Sequence, residues 1–168
     1  MARREWIVDR LLYDENRPIA DIEEIRRFNA QRFEMEQLTG ILYENFADKT
    51  AVGYLDTSDQ SFWVRGHMPE FPLMPGVIMC ESAAQLTSFF VNKYDLMQGC
   101  IIGLGGLESV RFRGIVRPGD RFVVQVKLVH SKKILITAEF IGLVGRSLVC
   151  EGVVKGIPIA NKEPKEKQ

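Results

Sequence analysis

Only two histidines, His67 and His130, stand among the 168 residues, and neither sign of charge dominates, because 22 Lys and Arg balance 22 Asp and Glu. A net charge of zero leaves no global field to draw the protein to nucleic acid or to an anionic membrane, so a charged partner must meet a local patch. Cysteine is equally sparse. Cys80, Cys100 and Cys150 are odd in number, widely spaced and set in apolar stretches. That pattern argues against a disulfide framework and for buried free thiols in a reducing compartment, with a cytoplasmic location as the expectation. The three form no metal-binding motif, and no cofactor is expected. A membrane span is missing too: the most apolar long window, residues 73–91, holds Glu81 and Gln85 near its centre, and an ionised carboxylate there makes insertion costly. Arg3, Arg4 and Arg10 are followed by no long apolar stretch, so no secretory signal is expected and the mature protein is expected to begin here.

The length suits one domain. Residues 19–38 carry Ile22, Ile25, Phe28 or Phe33, and Met35 near helical spacing among charges, with Pro18 as a start signal, which predicts an amphipathic surface helix ended by Gly40. Residues 41–46 and 50–55 alternate as two strands of a hairpin. Residues 65–75 are dense in turn formers, with Gly66, Pro69, Pro72 and Pro75, and Pro75 stands where a helix would begin. Residues 76–94 contain no proline or glycine after Gly76 and are rich in Ala, Met, Leu and Phe, which predicts a central helix apolar on nearly all sides. Four β-rich segments follow, 101–113, 120–131, 134–143 and 147–157, separated by Arg-Pro-Gly-Asp, Lys-Lys and Gly-Arg turns. They read as an antiparallel meander. One apolar helix with about six antiparallel strands is an α+β arrangement in which the sheet wraps the helix. The expected organisation is an N-terminal extension (1–18), one domain (19–158) and a flexible Lys/Glu-rich tail (159–168).

The run from Gly66 to Gln85 carries the chemistry. His67 sits in a proline-stiffened loop, which restricts where its ring points and favours a preorganised group. Glu81 falls in the second turn of an otherwise apolar helix, where burial disfavours the ionised form, the direction a proton donor needs. The backbone N–H groups of Gly76 and Val77 have no carbonyl partner within the helix and lie at the positive end of its dipole, so they suit a thioester carbonyl oxygen. Glycine at 76 is expected to let an acyl group approach the backbone closely. Together these groups suit an elimination in which His67 takes a proton alpha to the carbonyl and Glu81 assists departure of a 3-hydroxyl as water. Gln85, one turn beyond Glu81, is placed to orient that carboxyl or a water, or to be a satisfied polar helix residue. His130 reads as a surface residue at a strand end.

The positions Gly66, His67, Pro69, Pro72, Met74, Pro75, Gly76, Val77, Glu81, Ala84 and Gln85 resemble the motif of the 3-hydroxyacyl-[acyl-carrier-protein] dehydratases, a hotdog-fold family of type II fatty acid synthesis. Gly106-Leu107-Glu108-Ser109-Val110-Arg111-Phe112-Arg113 and Arg117-Pro118-Gly119-Asp120 are similar to a second strand and turn of that family. The resemblance implies that His67 is the base, that Glu81 is its acidic partner from the neighbouring subunit, and that Gly76 supplies an amide to the carbonyl site. It also implies a homodimer, often assembled as a trimer of dimers, and a substrate delivered on the phosphopantetheine arm of acyl carrier protein. Met68, Phe71, Met74, Leu104 and Gly106 are the expected lining of the acyl tunnel, and Arg111, Arg113 and Arg117 the expected docking cluster for the carrier protein.

Residues 29–41 depart from the family pattern and keep little of it beyond Arg32, and Met68 replaces the aromatic after His67. Two alternatives follow: a hotdog thioesterase, which would use Glu81 without needing His67, and a non-catalytic acyl-thioester binder. The intact His67 and Glu81 pair favours dehydration over both.

Overall fold

A computed structural model describes residues 6–161. The expectations for residues 1–5 and 162–168 lie outside the described residues. The elements run α1 (Ile22–Phe28), β1 (Gly40–Asn45), β2 (Thr50–Asp56), α2 (Gly76–Lys93), β3 (Cys100–Phe112), β4 (Arg121–Lys132), β5 (Leu135–Val144) and β6 (Ser147–Asn161), with short 3-10 turns at Arg10–Leu12 and Phe33–Met35. The result is the expected α+β architecture, one long helix against a six-stranded antiparallel sheet. No helix among the described residues is long and apolar enough to cross a membrane.

The central helix begins where expected. Pro75 is its N-cap at φ −57°, a value the ring fixes, and Ile78 N–H closes the first turn on the Pro75 carbonyl at 2.9 Å. Met79, Ala83, Leu86, Phe89 and Phe90 are buried against Phe122, Val124, Val126, Ile136, Ala138, Phe140 and Val154 of the sheet. Strand residues alternate between faces, so the next residues along, Val52, Tyr54, Val123, Ile141 and Leu143, form a second apolar cluster on the opposite face, packed against Trp6, Ile7, Val8 and Tyr13. This two-sided cover explains why β4 is buried without interruption from Phe122 to Val126.

Three expectations need correction. The helix predicted over 19–38 is only Ile22–Phe28: Asp21, not Pro18, caps it by accepting from Glu24 N–H at 3.0 Å, and Asn29 ends it by turning its side-chain amide to the Gln85 carbonyl at 2.9 Å. A tertiary hydrogen bond outweighs the helical periodicity there. The strands are not a meander, because their order is β1-β2-β4-β5-β6-β3, which carries β3 across to pair with β6 at the far edge. The last strand runs to Asn161, four residues beyond the predicted end. The Arg117-Pro118-Gly119-Asp120 turn forms as expected, with Gly119 at φ +92°, where glycine is favoured, and Asp120 N–H on the Arg117 carbonyl at 3.1 Å.

Candidate active site

The loop that carries His67 contains no helix or strand from residue 57 to 75, yet it is fixed at both ends to the turn before β4. At its start the Thr57 hydroxyl bonds the carbonyls of Arg117 and Asp120 at 2.7 and 2.8 Å. At its end Met74 N–H donates to the Val116 carbonyl at 2.8 Å, and the Met74 side chain is fully enclosed in the core. Between them buried Trp63 anchors the bend, its carbonyl accepting from His67 N–H at 2.7 Å. Met68 then takes φ +60°, an uncommon backbone for a non-glycine residue, directly after the histidine.

The half-buried imidazole of His67 has its Nδ1 2.8 Å from the Leu73 carbonyl oxygen. A carbonyl can only accept, so Nδ1 carries the hydrogen, and the neutral ring keeps its lone pair on Nε2. The backbone therefore fixes both the orientation of the ring and the nitrogen able to receive a proton.

Glu81 is half-buried rather than fully enclosed. Its Oε1 accepts from Gln85 Nε2 at 2.7 Å, and Gln85, itself buried, also donates from Nε2 to the Met35 carbonyl at 2.6 Å and accepts Gln37 N–H on Oε1 at 2.8 Å. Gln85 therefore touches the carboxyl and at the same time satisfies its amide on the backbone of residues 35 and 37. The 33–37 segment that receives these bonds is held in turn by Arg26, which donates to both Glu36 carboxylate oxygens at 2.6 and 2.9 Å and holds that carboxyl below the usual range. Glu81 opens on a groove between α2 and β3 lined by Gln31, Ala84, Ser88, Ile102, Leu104 and Val154 among others. Glu81 and Leu104 line this groove together, and His67 is not among its lining residues.

At the helix start the Phe112 ring lies against Gly76, where a Cβ would come within 2.6 Å of it, so no larger residue fits at 76 without moving that ring. Val77 is 70% exposed. Met68, Phe71 and Leu104 are exposed and Gly106 is half-buried, whereas Met74 is core. Among the arginines, Arg113 bonds buried Glu151 through Nε at 2.9 Å and Arg117 lies 5.4 Å over the Phe71 ring, while Arg111 is exposed. His130 is half-buried within β4. Cys80 and Cys150 are buried free thiols, and burial raises Cys80 and pushes Cys150 up to about 12. Among the described residues no group of three or more His, Cys, Asp or Glu could hold a metal ion.

Sequence reasoning missed the Trp63 and Leu73 carbonyls, which the bend of the loop turns toward His67, and the Gln37 and Met35 contacts, which tertiary packing brings to Gln85. Phe112 lay within a recognised motif but gave no local sign of its contact with Gly76.

Residues 29–153 match the family model of the FabA-like domain. The chain is 31% identical over 132 residues to the 3-hydroxyacyl-[acyl-carrier-protein] dehydratase FabZ of Clostridioides difficile (strain 630), covering 79% of this chain and 92% of that one. It is 33% identical over 132 residues to the FabZ of Geobacillus sp. (strain WCH70), covering 78% and 90%. Among solved structures it is similar to the dehydratase heterocomplex ApeI:P from Xenorhabdus doucetiae, with a TM-score of 0.65 and 15% identity over 80% of this chain and 90% of that one. Cj0977, a sigma28-regulated virulence protein from Campylobacter jejuni, matches with a TM-score of 0.61 and 15% identity over 86% and 96%. At that identity the two structures bear on the fold alone, and both are hotdog-fold neighbours.

Proposed function

The chain belongs to the FabA-like domain family, and on that premise we propose that its reaction centre is completed by His67 of one subunit and Glu81 of another. The reaction is dehydration of 3-hydroxyacyl thioesters on acyl carrier protein to trans-2-enoyl thioesters, a step of fatty acid biosynthesis. Neutral His67 takes the C2 proton on Nε2, because Nδ1 is committed to the Leu73 carbonyl. The electron pair of that C–H bond becomes the C2–C3 double bond as the C3–O bond breaks. Glu81 in its acid form gives its proton to the departing hydroxyl, which leaves as water. Since Gln85 donates to Oε1, the proton belongs on Oε2. The N–H groups of Gly76 and Val77 receive the thioester oxygen, where negative charge builds as C2 loses its proton.

Two features support a homodimer as the working unit. Glu81 faces a groove that His67 does not line. The edge strand β3 is 13 residues long with Leu104, Leu107 and Phe112 exposed, an unprotected edge that a second copy would cover. The acyl chain would then run past Leu104, Met68 and Phe71, and Arg111 with Arg117 would meet the phosphopantetheine phosphate or the carrier protein. Free cysteines suit a cytoplasmic setting.

The observation that carries this reading is the Nδ1 hydrogen bond of His67, which leaves a preoriented base at Nε2. Its test is hydration of crotonyl thioester, followed spectrophotometrically on acyl carrier protein and on coenzyme A. Wild type is expected to hydrate the carrier-bound substrate and His67→Ala to lose the activity; an unimpaired His67→Ala would remove the histidine from the mechanism.

A further inference from the structure

The outer face of the sheet carries Leu42, Val52, Tyr54, Val123, Ile141 and Leu143, an apolar cluster that the reaction centre does not use. Residues 6–17 lie across it. Val8 is buried on the cluster, and Trp6, Ile7 and Tyr13 pack beside it. The anchor is Gln125, whose side chain sits at 0% exposure in the middle of β4. Its Oε1 accepts Val8 N–H at 2.9 Å, and its Nε2 donates to the Val8 carbonyl at 3.1 Å and to the Tyr13 hydroxyl at 3.1 Å. An amide on an apolar sheet face is costly without partners, so Gln125 is a socket suited to this segment. Further along, Arg10 donates to the Gly145 carbonyl at 2.9 Å and pairs with Glu15. Arg121, stacked 4.1 Å over Tyr54 and bonded to Asp56, donates to the Glu15 carbonyl. The FabA-like match begins at residue 29, so this segment lies outside the matched residues.

We infer that residues 6–17 are a built-in cover for the outer sheet face, occupying the surface on which the sheet of a second copy would otherwise stack. Six large apolar side chains in one patch, stripped of their cover, have the character of an association surface, and two sheets pack face to face through such side chains. The segment fills that position and leaves association to the β3 edge.

The test uses the full chain. Val8→Asp places a charge at the socket, and Gln125→Leu removes all three hydrogen bonds while keeping the face apolar. Mass by light scattering and Trp6 emission are read together for each variant and for wild type at equal concentration. The expected result for both is a red shift as the segment lifts and at least a doubling of mass. For Val8→Asp, which keeps the Gln125 socket, a synthetic peptide of residues 6–17 added in trans should return the mass toward that of wild type; Gln125→Leu should not respond to it. Should Val8→Asp not fold, Gln125→Leu decides alone, since it buries no new polar group. A red shift with unchanged mass, or a segment that stays bound in both variants, would overturn the inference. So would a fall in the mass of the full chain on replacing exposed Leu11 and Leu12 by Ser, which would make the segment a promoter of association rather than a cover.

Discussion

Replacing Gln85 by Leu should damage stability and catalysis through two separable sets of contacts. Gln85 is buried and its amide makes three bonds, to Gln37 N–H, to the Met35 carbonyl and to Glu81 Oε1. Leucine of similar volume leaves the buried Gln37 N–H without an acceptor, at about 1–3 kcal/mol, and forfeits the partly buried Met35 bond at about 0.5–1.5 kcal/mol. Urea unfolding should therefore report a loss of about 2–4 kcal/mol with the slope unchanged. On the proposed mechanism the third bond acts on the reaction. A hydrogen bond between neutral groups is worth about 0.5–1.5 kcal/mol, and Glu81 acts in its acid form, so kcat should fall about two- to tenfold. KM should hardly move, because Gln85 positions the carboxyl and does not touch substrate. A merely structural role for Gln85 predicts the stability loss alone. Wild-type kcat in folded Gln85→Leu would refute the assignment, and a rise in KM with kcat unchanged would mean that Gln85 contacts the acyl group.

Gly76→Ala should push the Phe112 ring away from the helix start, since the added Cβ falls 2.6 Å from it; overpacking of this kind costs about 1–3 kcal/mol, and the Gly76→Ala, Phe112→Ala pair should regain part of that loss in thermal unfolding. The buried thiols predict an alkaline stability loss. Cys150 is pushed up to about 12 from an ordinary 9.0 by burial, so above pH 9 the unfolded chain releases a proton that the folded chain retains. Stability is then full below that pH and falls as pH rises through the window from 9 to about 12, by up to about 1.4 kcal/mol per pH unit for one group. Cys150→Ala should flatten this fall in Tm against pH, and an unchanged slope would exclude the thiol as its source. In native protein a thiol reagent at pH 8 should find Cys100 first, with Cys80 and Cys150 reacting only on unfolding.

The parts of the fold written in local pattern were legible. The helix from Gly76 follows from Pro75 and from a long run without glycine or proline, and the hairpin of β1 and β2 from alternation. Position in the sheet was not. Nothing near Cys100–Phe112 tells that β3 pairs with β6 at the far edge, because that choice is made by residues about fifty positions away. The short α1 was misread for a related reason: Asn29, Met35 and Gln37 give up helical bonding to meet Gln85, a residue on another element. Likewise His67 and Glu81 were identifiable by type and spacing, but the carbonyl that fixes the imidazole and the amide network behind the carboxyl exist only once the chain has folded.

The central claim, that His67 of one subunit works with Glu81 of another, is met most directly by mixing two inactive variants. His67→Ala and Glu81→Gln, each purified alone, should show no crotonyl-thioester hydration. After subunit exchange, a mixed dimer would hold one site with both changes and one intact site, so an equal mixture should recover about a quarter of wild-type activity. Recovery at that level supports a site shared across the dimer. A mixture in which subunit exchange is verified by mass, yet which stays inactive, would contradict it.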